Sequence, residues 1–258
     1  MRRSSGAATS VTVETAEYAL MDAAEDEMWW YRAAHARVAA VLRARPGPVA
    51  LPLLDAGCGT GGLLRRLAGT GRALAGLEYN PAAAARAAAK SGAAVAAGDA
   101  NALPFGDARF GALVSVDVLC HRGVDEARAL AEFRRVLAPG GTLLLNLPAF
   151  EWLRSAHDTR VHNARRYTAG HAAALLRAAG FEQVEARYWN SLLLPLMAAQ
   201  RKLRAREPDA ASDVAPFPPW LDATLHGATR VEAGLARLGL RFPAGGSVLV
   251  VATRPAEA

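Results

Sequence analysis

The sequence predicts an α/β protein built on a mostly parallel sheet with helices on both faces. Three observations carry this reading. From Ala50 to about residue 190, short apolar runs alternate with stretches of helical spacing, the order that buries a parallel sheet between two helical layers. A glycine-rich turn, Gly57-Cys58-Gly59-Thr60-Gly61-Gly62, follows the first run and opens a helix, so backbone bare of side chains can approach a ligand. Acidic residues close three successive runs: Asp55, Glu78 and Asp99.

Residues 1 to about 13 read as disordered. A helical pattern then runs from about Thr15 to Arg45 and stops at Pro46-Gly47-Pro48. It carries the acidic patch 25–27, followed by Met28-Trp29-Trp30-Tyr31. Strands are expected at 51–56, 73–78, 93–97, 111–116, 141–147, 183–190 and 247–253. Helices are expected at 61–69, 81–91, 124–137, 168–179 and 220–238, and Pro139-Gly140-Gly141 marks a turn between helix and strand. A long stretch, 191–246, separates the last two strands. Its helix places Leu221, Leu225, Ala228, Val231, Leu235 and Leu238 on one stripe, the ordinary signature of a surface helix packing on its own domain. The expected organisation is one domain over 1–258: a tail and helical cap (1–48), a core (49–190), an insertion or lid (191–246), and the last strand and tail (247–258).

Composition narrows the classes. A hydrophobic content of 52% allows a sizeable core. The net charge of +6 is carried almost wholly by arginine, Lys90 and Lys202 being the only lysines. The basic residues are spread along the chain rather than gathered into one patch, which argues against nucleic acid as a partner. Two cysteines, Cys58 and Cys120, do not make a disulfide framework in a chain of this length. The N-terminus lacks an apolar signal region. The most apolar run, 191–199, is too short to span a bilayer and contains Pro195. The expectation is a cytoplasmic protein, monomeric or homodimeric, without stable membrane insertion but open to peripheral membrane contact.

The glycine loop also satisfies the dinucleotide pattern through Gly57, Gly59 and Gly62. The acids argue against a dinucleotide. Asp55, two residues before the first glycine, would oppose a pyrophosphate but suits an ammonium or a sulfonium. Glu78 can accept both hydroxyls of a ribose. Asp99, in Gly98-Asp99-Ala100, can accept from an adenine amino group. Together they would surround a cationic amino acid joined to adenosine.

Here the sequence resembles a known family. DAGCGTGG, LEYN, GDANALPF and EFRRVLAPGGTLLLNLPA are similar to the ordered motifs of class I S-adenosylmethionine-dependent methyltransferases, over about residues 50 to 190. The resemblance implies a Rossmann-like, doubly wound, seven-stranded sheet with its last strand antiparallel. It implies S-adenosyl-L-methionine as cofactor, S-adenosyl-L-homocysteine as product and no metal. It also implies that Asp55, Gly57, Cys58, Gly59 and Gly61 line the methionine part, Glu78 the ribose with Tyr79 beside it, and Asp99 with Ala100 the adenine. The fourth strand ends at Asp117 and runs on to His121, an end that in this fold faces the transferable methyl; both residues are candidates for contact with cofactor or substrate. Cys120 reads as a small hydrophobe rather than a nucleophile.

The polar segment HDTRVHNARRY, 157–167, follows the fifth strand and lies where the acceptor should sit. Three readings of it stand side by side. In a structural reading, Tyr167 packs, Thr168 caps the next helix and the arginines pair with carboxylates or carbonyls. In a functional reading, His157 or His162 takes a proton from the acceptor, Asp158 orients it, and Arg165 and Arg166 hold an anionic group. A metal reading lacks a recognisable ligand spacing. Trp29 and Trp30 cannot both face one stripe of a helix, so one at least should point toward the pocket mouth or the 191–246 segment. The function expected is methyl transfer to a small-molecule acceptor resting against Trp29, Trp30 or Trp189, with O-methylation favoured and N- or C-methylation open. The alternatives are a lipid-linked or membrane-associated acceptor and a non-catalytic S-adenosylmethionine-binding sensor or partner subunit.

Overall fold

A computed structural model describes residues 15–204 and 217–256; the tail expected to be disordered lies outside the described residues. The helical cap is two helices rather than one: α1 (Thr15–Ala24) and α2 (Trp29–Ala44). The acidic patch forms the turn between them. It turns because its side chains bond elsewhere: Glu25 accepts from Thr60 Oγ1 (2.7 Å) and Lys90 Nζ (2.6 Å), and Asp26 pairs with Arg65 (2.7 Å).

The core then alternates β1 (Leu53–Ala56), α3 (Gly62–Leu67), β2 (Leu74–Glu78), α4 (Pro81–Ser91), β3 (Ala94–Ala97), β4 (Phe110–Val116), α5 (Glu126–Val136) and β5 (Leu137–Pro148). It continues through α6 (Ala156–Arg160), α7 (Ala169–Ala178), β6 (Glu182–Trp189), α8 (Leu194–Arg204), α9 (Pro219–Arg237) and β7 (Ser247–Thr253). The seven strands form one sheet in the order β3-β2-β1-β4-β5-β7-β6, and β7 runs antiparallel to both its neighbours. The short α6 and α8 were not anticipated; β5 begins four residues earlier than the apolar run suggested.

Local chemistry sets the boundaries. Asn80 caps α4 through Ala82 N and Ala83 N, with Pro81 in its first turn. Asp125 caps α5, and Thr168 caps α7 through His171 N at 3.2 Å. Along β1, Leu54 and Ala56 enter one core cluster while Leu53 joins Val38, Leu63 and Leu67 on the other face, the period-two alternation of a strand. Asp55 shares the Leu53 face, which carries its carboxylate toward the helical cap.

The stretch 191–246 is tied to the cap. Glu232 of α9 is 2% exposed and accepts from Asn190 N (2.8 Å), Ser191 N (2.6 Å), Leu192 N (3.1 Å) and Arg37 of α2 (3.1 Å). Asp222 accepts from Trp29 N (2.6 Å) and pairs with Arg32. Glu232→Ala would leave three backbone donors unanswered and take the carboxylate from Arg37, which keeps Ala33 O and Thr229 O as acceptors. It should cost about 3 kcal/mol or more, read as a shift in the urea midpoint. A loss under about 0.5 kcal/mol would mean that water replaces the carboxylate.

Candidate functional site

The strand order reverses between β1 and β4, and in such sheets the crevice outside the carboxyl ends at this point takes ligands. Four of the expected residues converge there because each lies at or just past the end of a strand that ends there: Asp55, Glu78, Asp99 and Asp117.

The glycine loop leaves β1 with Gly57, Gly59 and Gly61 all at positive φ. Gly61 must be glycine for a second reason: a Cβ would stand 2.8 Å from Ala87 Cα of α4. Gly57 N and Cys58 N donate to Leu77 O at 2.8 and 2.9 Å, which stitches the loop to β2. Cys58 is buried, and burial, then Asp55 and Glu78, push its thiol well above the ordinary range. It is a packing residue of the loop, not an ionised one.

Asp55 is 1% exposed, and its Oδ2 has no hydrogen-bond partner. Burial, then the charges of Glu25 and Glu78, push its carboxyl up to about 8. Such a group lacks a cation. Glu78 is 5% exposed and accepts from Gly59 N (2.9 Å), Asn80 N (3.0 Å) and the Tyr18 hydroxyl of α1 (2.8 Å). Asp99 Oδ1 is held by Asn101 N at 2.9 Å; Ala100 is buried and Tyr79 is exposed. The orphaned oxygen of Asp55, the carboxylate of Glu78 and the free oxygen of Asp99 fit a ligand carrying a cation, a ribose and an adenine.

On the other side of the crevice stands Asp117, at φ 53°. Its Oδ1 accepts from Asn146 Nδ2 at 3.0 Å, and Asn146 Oδ1 accepts from Trp189 Nε1 at 2.7 Å. Burial outweighs these favourable contacts and raises its carboxyl to about 7. Trp189 is covered by Arg37 (4.4 Å from guanidinium carbon to ring centroid) and by Trp30 (6.0 Å between ring centroids). Tyr31 meets Trp30 edge-on at 5.1 Å. Burial, then Glu25, Asp117 and Glu17, hold its hydroxyl well above the usual phenol range. Trp29 is 8% exposed and packs with Leu193 and Leu225. Of the two tryptophans, Trp30 is therefore the one beside the crevice.

The polar segment divides. Asp158 and Arg166 form a buried ion pair, Asp158 Oδ1 accepting from Arg166 Nε at 3.0 Å and Oδ2 from Nη2 at 2.9 Å. Arg166 Nη1 also donates to Ala149 O at 2.9 Å. Arg165 donates to Leu119 O (2.9 Å) and Val124 O (2.8 Å). Tyr167 is 1% exposed and its hydroxyl donates to Glu126 at 2.8 Å. Asp158, Arg165 and Arg166 thus all bond within the chain, Asp158 to Arg166 and Arg165 to backbone carbonyls. The side chain of His157 lies outside the described residues. The backbones at His121 and His162 run beside each other: Arg122 N donates to His162 O at 2.9 Å, and His121 forms a β-bridge with Asn163. Among the described residues no group of histidine, cysteine and acidic side chains is arranged to hold a metal.

Residues 54–145 match the family model described as a methyltransferase domain. A Mycolicibacterium smegmatis protein named a "probable S-adenosylmethionine-dependent methyltransferase" is 32% identical over 133 residues, which cover 50% of this chain and 51% of that one. The 24-methylenesterol C-methyltransferase 2 of Oryza sativa subsp. japonica is 30% identical over 169 residues, 57% of this chain and 44% of that one. The chain thus spans about half the length of the curated relatives it matches. Among solved structures, a chain from the complex of the Haloferax volcanii Trm112 methyltransferase activator with a methyltransferase superposes with a TM-score of 0.61. It is 24% identical and the match covers 94% of this chain and 96% of that one.

Proposed function

We propose that this chain, whose residues 54–145 match a methyltransferase-domain model, is a class I S-adenosylmethionine-dependent enzyme that moves a methyl group to a small acceptor, with O-methylation the favoured reaction. The observation that carries the reading is the set of strand-end carboxylates, above all the buried, unpartnered oxygen of Asp55. When bound, S-adenosylmethionine supplies a methyl carbon on a sulfonium, open to in-line displacement by an acceptor lone pair. Asp55 faces the positive charge of the methionine part, Glu78 accepts from the ribose hydroxyls, and Asp99 with Ala100 receives the adenine edge. Trp30, Tyr31 and Trp189 wall the acceptor, and their placement supplies the orientation that makes the displacement effectively unimolecular. His121 and His162, which share one short bridge region, are the residues to take the proton released as the new bond forms. Asp117, fixed by Asn146, which itself accepts from Trp189, would lie beside this wall where it could meet a bound cofactor.

Calorimetric titration tests the reading directly. S-adenosylmethionine and S-adenosylhomocysteine should bind, Glu78→Ala should abolish both, and NAD should give no heat. Binding of NAD alone would overturn the assignment.

A lipid-linked acceptor is a second reading. Trp152 (59% exposed), Leu192 (43%) and Leu196 (54%) lie on segments that follow β5 and β6 at the site's end of the sheet, and Trp220 at the start of α9 is 70% exposed. The rice relative is named for a sterol substrate, and interfacial binding uses such aromatic and aliphatic groups. Among the described residues no helix is long and apolar enough to cross a membrane. Co-sedimentation with anionic vesicles at low salt separates the readings, and failure to bind would exclude this one.

A further inference from the structure

We propose that Tyr18 is an affinity-setting residue of the cofactor site: its hydroxyl occupies the Glu78 carboxylate in the free protein and must leave when a ribose arrives. The inference rests on the assignment of Glu78 to the ribose made above.

The argument is one of acceptor sites. An ionised carboxylate offers about four lone-pair positions. On Glu78, Gly59 N takes one at Oε2, Asn80 N takes one at Oε1, and the Tyr18 hydroxyl takes another at Oε1. The two backbone donors are part of the loop that forms the site and stay with it. A vicinal diol needs two positions, and with Tyr18 in place only one remains. Tyr18 comes from 60 residues away in the sequence, on a helix outside the sheet, so it is the donor that can be given up.

The rest of α1 shows how this could happen without unfolding the cap. Its C-terminal end and the turn after it are anchored on α3 and α4. Asp22 bonds Arg86 (2.8 Å) and Lys90 (2.5 Å), and Glu25 bonds Thr60 and Lys90. Met21 sulfur lies against Gly59, 2.8 Å from where a Cβ would be. In the N-terminal half, Tyr18 bonds Glu78, and the buried Glu17 pairs with Arg160 at 3.7 Å. Tyr18 can turn away from Glu78 while the ties of Asp22 and Glu25 hold the C-terminal end of the helix in place. Its phenol is well suited to the donor role, since burial, then the Glu78 charge and hydrogen bond, push its pKa far above the ordinary value and keep the proton on oxygen.

The test is calorimetric titration of the full chain with S-adenosylhomocysteine, in wild type, Tyr18→Phe, Glu78→Gln and the double variant. Tyr18→Phe should tighten binding by about tenfold, the weight of one hydrogen bond to a charged group. In the Glu78→Gln background the same change should alter affinity less than about twofold. Hydrogen exchange on the wild type gives a second reading that needs no variant: amides in 15–20 should exchange faster with ligand than without. Weaker or unchanged binding by Tyr18→Phe, or slower exchange of α1 in the complex, would overturn the proposal. Absence of binding to both wild type and Tyr18→Phe would overturn the cofactor assignment itself, and with it this inference.

Discussion

Affinity for S-adenosylmethionine should rise steeply between about pH 6 and pH 8 and then level off. Asp55 is raised to about 8 in the free protein by burial, with Glu25 and Glu78 adding to it, so below that pH it carries a proton. A cation beside it requires the carboxylate, and the proton must leave on binding. Below the raised pKa, each pH unit costs about tenfold in affinity, giving about 50-fold across pH 6 to 8. Asp117, raised to about 7, acts in the same direction. The folding equilibrium has the opposite slope: the folded chain holds a proton that the unfolded one releases near the ordinary Asp value, so stability of the free protein falls as pH rises from about 4 to about 8. Asp55→Asn should flatten the binding profile and lower the plateau. S-adenosylhomocysteine keeps the ammonium but lacks the sulfonium. An equal slope for it would assign Asp55 to the ammonium; a lost slope would assign it to the sulfonium. Titration calorimetry at four pH values decides among these, and a flat wild-type profile would remove Asp55 from the site.

Arg166→Ala should destabilise the chain by about 3–5 kcal/mol, because it leaves the carboxylate of Asp158 buried without its cation. Asp158 is 0% exposed. Burial pushes its carboxyl up, but the hydrogen bonds and charge of Arg166, with Ser155 N and Asn163, outweigh burial and hold it below the usual Asp range. The stability contributed by this pair is therefore present above about pH 4 and is lost as pH falls through the depressed value. Asp158→Asn combined with Arg166→Met, which removes both charges, should recover a large part of the loss. Urea denaturation of the single and double variants at pH 7 measures it. A loss below about 1 kcal/mol for Arg166→Ala would mean that the loop rearranges to admit water.

The sheet was legible in the sequence because a buried parallel strand must be a short apolar run and its crossover helix must be amphipathic. The crevice carboxylates were legible for a related reason. Asp55, Glu78 and Asp99 lie at or just past the carboxyl ends of strands that stand side by side, so their order along the chain maps directly onto the crevice. The polar segment 157–167 did not read out in this way. Arg166 and Asp158 carry the letters of a catalytic segment, yet eight residues apart they close on each other; sequence records the charges but not which partner burial assigns. Asn146 lay hidden inside the apolar run LLLNLP, though a lone asparagine there was a signal that something polar faced it. Tyr18 gave no signal at all, since its partner is far along the chain. The break in the cap falls at Glu25-Asp26-Glu27, whose acids had partners on α3 and α4 that no helical period reveals.

The ties between α2 and α9 have a consequence for how the chain comes to completion. Trp29 N and Asp222 are 193 positions apart, and Arg37 and Glu232 are 195 apart. The carboxylates that fit the cofactor, and the strands bearing them, all lie before residue 118. During synthesis from the N-terminus those strands can pair early and Val38 of α2 can pack on Leu53, Leu63 and Leu67, while the polar ties of Trp29 and Arg37 wait until α9 is made. The aromatic wall built on Trp30 and Trp189 is thus the last part of the molecule to be assembled. Substitutions in that wall should leave the earlier-made half of the nascent chain to fold as before.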